Sequence, residues 1–409
     1  MPRNCEQTTH FMKNNKHFQL ILLLGSLSMI GPFNIDTCLP AFGRIAKDLG
    51  VTFSQVEINV SLFFFGFGIG QLYGGYISDI KGRKWVVSRG LGISMIASLI
   101  LVLVNQLEVF YLMRFIQAIG AGFVGVSVAA IVRDNFQGKE AASIMSMVAM
   151  IAMGAPLVAP SIGAFLLTIS TWKAIFIFIA LYGLTVLIFL IFGLEEKMEP
   201  RKKEHNFLQG IKKVYQNVPA LAYMSAMAIP SGALYTYLTS APFIFQEYFG
   251  LGEQQFAILF GVNGFSLIIM NKINSVLVKK HGPERLMNVG LTIHFTSLVV
   301  LLAVVTVFTP TLYNTVPLIT LHVSTLGLIS GNATSIALEK FEKHFAGIAN
   351  SQMRVVGIII GAVAGAIASL LNNGTLYPIL GVMITCSAFG IFTYLSLKKR
   401  ANKSKLVSV

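Results

Sequence analysis

The sequence predicts an all-α membrane protein with twelve transmembrane helices in two six-helix halves. Three observations carry that prediction. The first is composition: of 409 residues, 55% are hydrophobic and 12% charged, with a mean hydropathy of +0.72. A soluble chain carries about 25% charged residues. This composition excludes a disordered chain, a nucleic-acid-binding domain and an ordinary cytosolic enzyme. The second is the recurrence of apolar stretches long enough to cross about 30 Å of hydrocarbon, which takes about 20 residues each. The third is the placement of the basic residues behind the formal net charge of +14.

The stretches run near Phe18–Leu39, Gln55–Ile77, Trp85–Asn105, Val109–Val132, Ala141–Leu167 and Trp172–Leu194. After a polar interval they resume near Val218–Ala241, Glu253–Leu277, Arg285–Phe308, Val316–Leu338, Phe345–Leu371 and Leu376–Leu397. Their hydropathy is continuous and does not alternate, which favours helices over barrel strands of about ten residues. The first stretch follows Lys13 and Lys16 but is no secretory signal. It is too long, it contains Asp36, and no small-x-small cleavage site follows.

With the N-terminus in the cytoplasm, 24 of the 31 basic residues fall inside and only Arg44 and Lys47 outside. Arg89, Arg114, Lys173, Lys272 and Arg354 lie in or at the ends of spans. The positive-inside bias therefore puts both termini in the cytoplasm, as expected for a multi-pass protein of a bacterial inner membrane. Cys5, Cys38 and Cys386 suggest neither a disulfide framework nor a metal site. No Walker A loop, nucleophile elbow, H-E-x-x-H or C-x-x-C occurs, so no cofactor and no catalysis are expected.

The polar interval Glu195–Asn217 divides the chain into residues 1–194, a linker at 195–217, and residues 218–409 with a basic cytoplasmic tail. The linker opens as a charged segment. Its second part sets Phe207, Ile211, Val214 and Tyr215 on one helical face beside Lys212 and Lys213, as in an amphipathic helix on the inner leaflet. A merely solvated linker is the plainer alternative. The halves echo each other at an offset near 200 residues, with small-residue segments at Gly154–Gly163 and Gly357–Ala368. Two six-helix halves with internal symmetry point to a secondary transporter whose substrate site lies between them.

The loop between spans two and three reads Gly74-Gly75-Tyr76-Ile77-Ser78-Asp79-Ile80-Lys81-Gly82-Arg83-Lys84. An acid beside a basic cluster can latch one conformation and release in another, or can simply anchor a tight loop. This pattern resembles the first signature of the major facilitator superfamily, G-x-x-x-D-x-x-G-R-[RK], with Gly75, Asp79, Gly82, Arg83 and Lys84 at the matching places. Three further stretches are similar to the Bcr/CflA branch of drug/proton antiporters. They are Asp36-Thr37-Cys38-Leu39-Pro40-Ala41, then Arg114–Gly122 followed by Ile131-Val132-Arg133-Asp134, and Gly154-Ala155-Pro156-Leu157-Val158-Ala159-Pro160-Ser161-Ile162-Gly163. Ala241–Leu251 and Gln254-Gln255-Phe256 extend the likeness into the second half. Two departures stand out. Ser28 occupies the place where related multidrug exporters carry a second acid, and Lys279 is the counterpart of Asp79, so a second latch is degenerate.

Asp36 is the acid that falls inside a span, and an intramembrane ionisable group is a functional candidate by default. Its alternative is an interfacial carboxylate before Pro40. Arg114 lies six residues into span four, where it either biases Asp36 and the proton step or snorkels to the headgroups. The resemblance implies the coupling role. Gly154, Pro156, Pro160 and Gly163 would kink span five and let it pack closely. Asn34, Gln117, Tyr235, Tyr237 and Asn263 are candidates to line the cavity, and lone polar residues also serve as helix–helix glue.

By resemblance, the chain is expected to export small amphipathic compounds, drugs or a secreted metabolite, against protons by alternating access. An importer or carrier of a metabolite or siderophore-like compound on the same fold is the alternative. The expected partners are a small-molecule substrate, protons and membrane lipid, with no nucleic acid and a monomeric chain.

Overall fold

A computed structural model describes residues 3–194 and 207–407, so the charged opening of the linker lies outside the described residues. In the first half, α1 (Arg3–Asp36) is followed by a 3-10 turn at Leu39–Ala41 and the short α2 (Phe42–Leu49). Then come α3 (Phe53–Lys81), α4 (Arg83–Leu101), α5 (Leu107–Asn135), α6 (Gly138–Met153), α7 (Ala155–Ile169) and α8 (Lys173–Gly193). α9 (Phe207–Gln216) links the halves. The second half holds α10 (Val218–Ala228), α11 (Ser231–Pro242), a π-helical turn at Phe243–Tyr248, α12 (Glu253–His281) and α13 (Pro283–Val307). It ends with α14 (Leu312–Ser324), α15 (Leu326–Leu338), α16 (Lys343–Leu370) and α17 (Tyr377–Val407).

Among the described residues, 11 helical segments are long and apolar enough to cross a membrane. The seventh span accounts for the twelfth crossing but is not one continuous helix. It breaks into α10 and α11 because Pro230 has no N–H to return to the carbonyl four residues back. The Gly232 and Ala233 amides bond three residues back across the bend. Span five breaks at Gly154 between α6 and α7, with Pro156 in the first turn of α7. Span ten divides between α14 and α15 at Thr325.

Close backbone approach holds the first half together. Gly66, Gly70 and Gly74 of α3 recur every four residues and meet α5. A Cβ on Gly70 would stand 2.4 Å from the Ile119 carbonyl oxygen, and one on Gly90 of α4 would stand 2.6 Å from that of Gly120. Lipid supplies no hydrophobic drive between helices, so small residues that allow such contacts specify the pairing.

The span ends define two faces. The basic face carries Lys81, Lys84, Arg133, Lys279 and Lys280; the far face carries α2 and the turns at Gly50, Gly250 and Gly374. The halves meet where α3 packs on α16 and where α7 packs on α12, pairs related by the internal repeat. The far face is closed. Arg44 of α2 grips Glu253 at the start of α12 through two bonds of 2.6 and 2.9 Å and donates to the Leu167 carbonyl at 2.7 Å. Gln246 donates to the Leu39 carbonyl. Toward the basic face, α6 packs on α1, α5 and α7, all of its own half. No residue of α12 beyond Asn263 is buried. The cleft between the halves therefore opens on the basic face along α6 and α12, beside a contact of Arg133 of α5 with Gly347 of α16.

The Arg44–Glu253 bridge is partly exposed, at 43% and 24%, and contributes no more than about 1 kcal/mol. Arg44→Ala is expected to raise labelling of buried Cys38 by a membrane-impermeant maleimide from the far face by up to about fivefold, with Cys5 and Cys386 replaced by serine. Unchanged labelling would remove the bridge from the seal.

Candidate functional site

The first half encloses a fully buried cation. Arg114 of α5 is 0% exposed. Its guanidinium donates to Asn59 Oδ1 of α3 at 3.0 Å, to the Asn34 carbonyl of α1 at 2.8 Å and to Gln117 Oε1 at 2.6 Å. It lies over Phe63 and Phe176, with 4.8 and 5.8 Å to the ring centroids. Gln117 donates onward to Ser98 of α4. One planar fork thus ties α1, α3 and α5 together and reaches α4 through Gln117, while its Nη2 has no partner.

Asp36 sits two residues beyond Asn34, at the end of α1, and is 6% exposed. No hydrogen bond or ion pair holds its carboxylate among the described residues. Arg114 and Asp36 therefore share one region without pairing: every hydrogen-bond partner of Arg114 is neutral. Across the cleft, Asp36 is in electrostatic range of Tyr237 of α11. Tyr237 is buried and accepts from Asn263 Nδ2 of α12 at 2.7 Å, and Thr320 of α14 donates to Asn263 Oδ1 at 2.6 Å. A polar chain of Tyr237, Asn263 and Thr320 thus faces the carboxylate from the other half. Tyr235 packs edge-on against Phe64 of α3, centroids 4.6 Å apart. Asn34 donates to the Ile30 carbonyl, and its Oδ1 is unpartnered.

The loop cluster forms within the first half. Arg83 contacts Asp79 at 2.7 Å and Asp134 of α5 at 2.9 Å, and donates to Ser78. Lys84 caps α8 by donating to the Ile191 and Leu194 carbonyls, both at 2.8 Å. Gly82 has φ 94°, a region that favours glycine. Gly282 repeats the conformation at φ 75° in the second half. There the ionic partner is different: Glu284 takes Lys398 at 2.7 Å and a hydrogen bond from Tyr223 at 2.9 Å. Gly75 makes ordinary contact with Val126.

Of the span-five residues, Gly154 marks the break, Pro156 opens α7, and Pro160 lies within it. Pro156 faces Gly264 of α12, on the seam between the halves. Gly163 lies against the backbone of Thr37, next to Asp36.

Two features escaped sequence reasoning. Glu57 stands near the start of α3, where it reads as an interfacial acid, yet it is 0% exposed and neither carboxylate oxygen has a hydrogen bond. Asn372 and the Phe243 backbone are its polar neighbours, and Glu247 is in electrostatic range. The signal was its stripe: Ser61, Phe64 and Gly68 follow at helical spacing and meet the second half. The other feature is a stacked pair, His294 of α13 and His322 of α14, with centroids 4.0 Å apart. Their Nδ1 atoms bond Thr325 Oγ1 and the His294 carbonyl. No residue spacing announces such a pair, because it forms between helices.

A profile described as Major Facilitator Superfamily matches residues 22–366. A bicyclomycin resistance protein homolog of Haemophilus influenzae is 31% identical over 395 residues, covering 95% of this chain and 98% of the relative. A multidrug resistance protein, MdtL of Salmonella heidelberg, is 25% identical over 93% of this chain and 95% of its own length. The crystal structure of a D-xylose-proton symporter has a TM-score of 0.76 at 13% identity, covering 93% of this chain and 97% of that one. A bacterial homolog of the human lysosomal transporter Spinster, inward-facing and occupied, has a TM-score of 0.70 at 14% identity, over 94% and 96%. At these identities the two structures show the fold alone. The chain is a multi-pass membrane protein, and it belongs to the Major Facilitator Superfamily, in its Bcr/CflA-type drug/proton antiporter branch.

Proposed function

We propose that this chain exports small amphipathic compounds in exchange for protons by alternating access, with Asp36 as the group that takes up and releases the proton. The observation that carries the reading is the placement of Asp36. It is a nearly buried carboxylate with no partner, at the closed end of the cleft, next to the Arg114 network and facing Tyr237 of the other half. A group so placed exchanges protons with whichever face the cleft opens to. Arg114 orients the end of α1, two residues short of Asp36, through the Asn34 carbonyl. Asn34, Gln117, Tyr235, Tyr237 and Asn263 surround the substrate path. Gly75, Asp79, Gly82, Arg83 and Lys84 form the latch for the outward-facing state: here, with the cleft open to the basic face, Arg83 holds Asp79 and Asp134 within the first half and Asp79 stays 63% exposed, so the latch closes only when that carboxylate meets the second half. Gly154, Pro156, Pro160 and Gly163 shape the seam at span five.

The positive-inside bias of 24 basic residues against 2 supports a basic face in the cytoplasm of a bacterial inner membrane, with both termini there. The cleft then opens to the cytoplasm in this state. The functional units are residues 1–194 and 218–409, acting within one monomer in contact with lipid and without catalysis. α9 presents exposed Lys212 and Lys213 while Val214 is buried against the second half, which supports a linker helix lying along the inner leaflet. The membrane potential adds about 2.3 kcal/mol per charge per 100 mV to the exchange.

Asp36→Asn keeps the shape and removes the titration. It is expected to cut gradient-driven efflux from loaded cells at least tenfold while the protein stays folded in the membrane. Full efflux that remains sensitive to a protonophore would sink the assignment.

A further inference from the structure

Arg354 of α16 is an unbalanced charge at mid-span. It stands about 16 Å along the helix from Lys343, and it is exposed. Its direction follows from helical spacing. Gly347, Arg354 and Gly361 recur every seven residues, nearly two full turns, and so share one stripe. At one end of that stripe, Gly347 meets Arg133 of α5, in the other half. At the other, Gly361 lies so close to Tyr235 that an added Cβ would stand 2.3 Å from it. Arg354 itself is in electrostatic range of Tyr235. The lipid-exposed residues of α16, Val363 and Ile367, lie on the opposite side. The exposure of Arg354 is therefore exposure to the cleft between the halves, not to lipid.

No carboxylate among the described residues pairs with it. Asp79 and Asp134 are engaged by Arg83, and Asp36 is buried at the closed end. An arginine in a narrow cleft with no counter-charge offers a planar, two-pronged donor to an oxyanion. Toward it stands the half-buried Tyr235 ring, with buried Phe64 packed edge-on behind it. We propose that Arg354 is a substrate-binding residue and that the cleft takes amphipathic organic anions, the oxyanion on Arg354 and the apolar body on the Tyr235 ring. The inference rests on the transport reading above and names the substrate class of that same site.

The test uses 2-naphthoate, its neutral amide 2-naphthamide and the cation 2-naphthylmethylammonium. Equilibrium binding of each is measured on the full-length protein in lipid nanodiscs. Naphthoate is expected to bind at least tenfold more tightly than either analogue. Arg354→Gln is expected to weaken naphthoate about 10- to 100-fold and leave the amide unchanged, and Arg354→Lys to recover part of the loss. Arg89→Gln, which changes an arginine of α4 beside Trp85, should have no effect. Equal binding of all three probes, binding of none, or an unchanged Gln variant overturns the proposal. The comparison of probes on the unaltered protein stands even where a variant misfolds. Gradient-driven efflux without anion preference defeats this inference alone. Anion preference without gradient-driven efflux defeats the export reading and spares this one.

Discussion

Arg114→Lys is expected to abolish transport and to destabilise the protein, although the charge is kept. The guanidinium reaches three acceptors: Asn59 Oδ1, the Asn34 carbonyl and Gln117 Oε1. An ammonium is a compact donor on a flexible stem and cannot span a fork that joins three helices. At least two acceptors lose their partner inside a dry core. Each orphaned group costs about 1–3 kcal/mol, so the variant should lose about 2–6 kcal/mol. The stacking over Phe63 and Phe176 also weakens. Transport should fall over a hundredfold, because the Asn34 carbonyl tether that positions the end of α1, and with it Asp36, is gone. Thermal unfolding in detergent and proton-driven efflux check the two halves of this result. A lysine variant with unaltered unfolding temperature would mean that the network is not structural, and unaltered efflux would remove Arg114 from the proton step.

Gly163→Val is expected to be nearly as severe, for a steric reason. A Cβ at Gly163 would lie 2.1 Å from the Thr37 carbonyl oxygen and 2.9 Å from its carbonyl carbon. Both atoms are backbone, so no side chain can swing away. α7 must withdraw from the end of α1, beside Asp36, or α1 must bend. Overpacking of this kind costs about 1–3 kcal/mol and here acts on the far-face seal. Gradient-driven efflux should fall at least tenfold, and Cys38, buried beside Thr37, should become accessible from the far face. Gly92→Ala is the control, since a Cβ there meets open space. A Gly163→Val protein with native efflux and a protected Cys38 would show that the contact relaxes freely.

The two variants illustrate different degrees of legibility. Gly163 belongs to a stretch whose small residues and prolines announce close packing, and the packing is found there. What it packs against, the Thr37 carbonyl, is settled by how α7 folds back on α1. Arg114 and Asp36 both stand out as rare charges in apolar spans. Sequence spacing gives no means to tell that Arg114 is satisfied by neutral amides and a carbonyl while Asp36 is left unpaired. The seventh span lies where hydropathy places it, and it bends at Pro230, whose missing N–H no hydropathy pattern records. Glu57 was passed over because an acid five residues past the Thr52 N-cap reads as interfacial. It is buried only because α3 meets the π-helical turn of the second half.

Composition, hydropathy and the split of basic residues determine by themselves that the chain folds as apolar helices in two halves with a preferred orientation. These properties sum over many residues, and the bilayer, which leaves no backbone group unpaired, admits few alternatives. The tertiary structure alone decided which face is closed, that Arg114 is bound by neutral groups, and that Arg354 stands uncovered in the cleft. Those depend on which faces of distant helices meet, and that is set by contacts such as Gly70 on Ile119 and Gly361 on Tyr235, made between residues far apart in the chain.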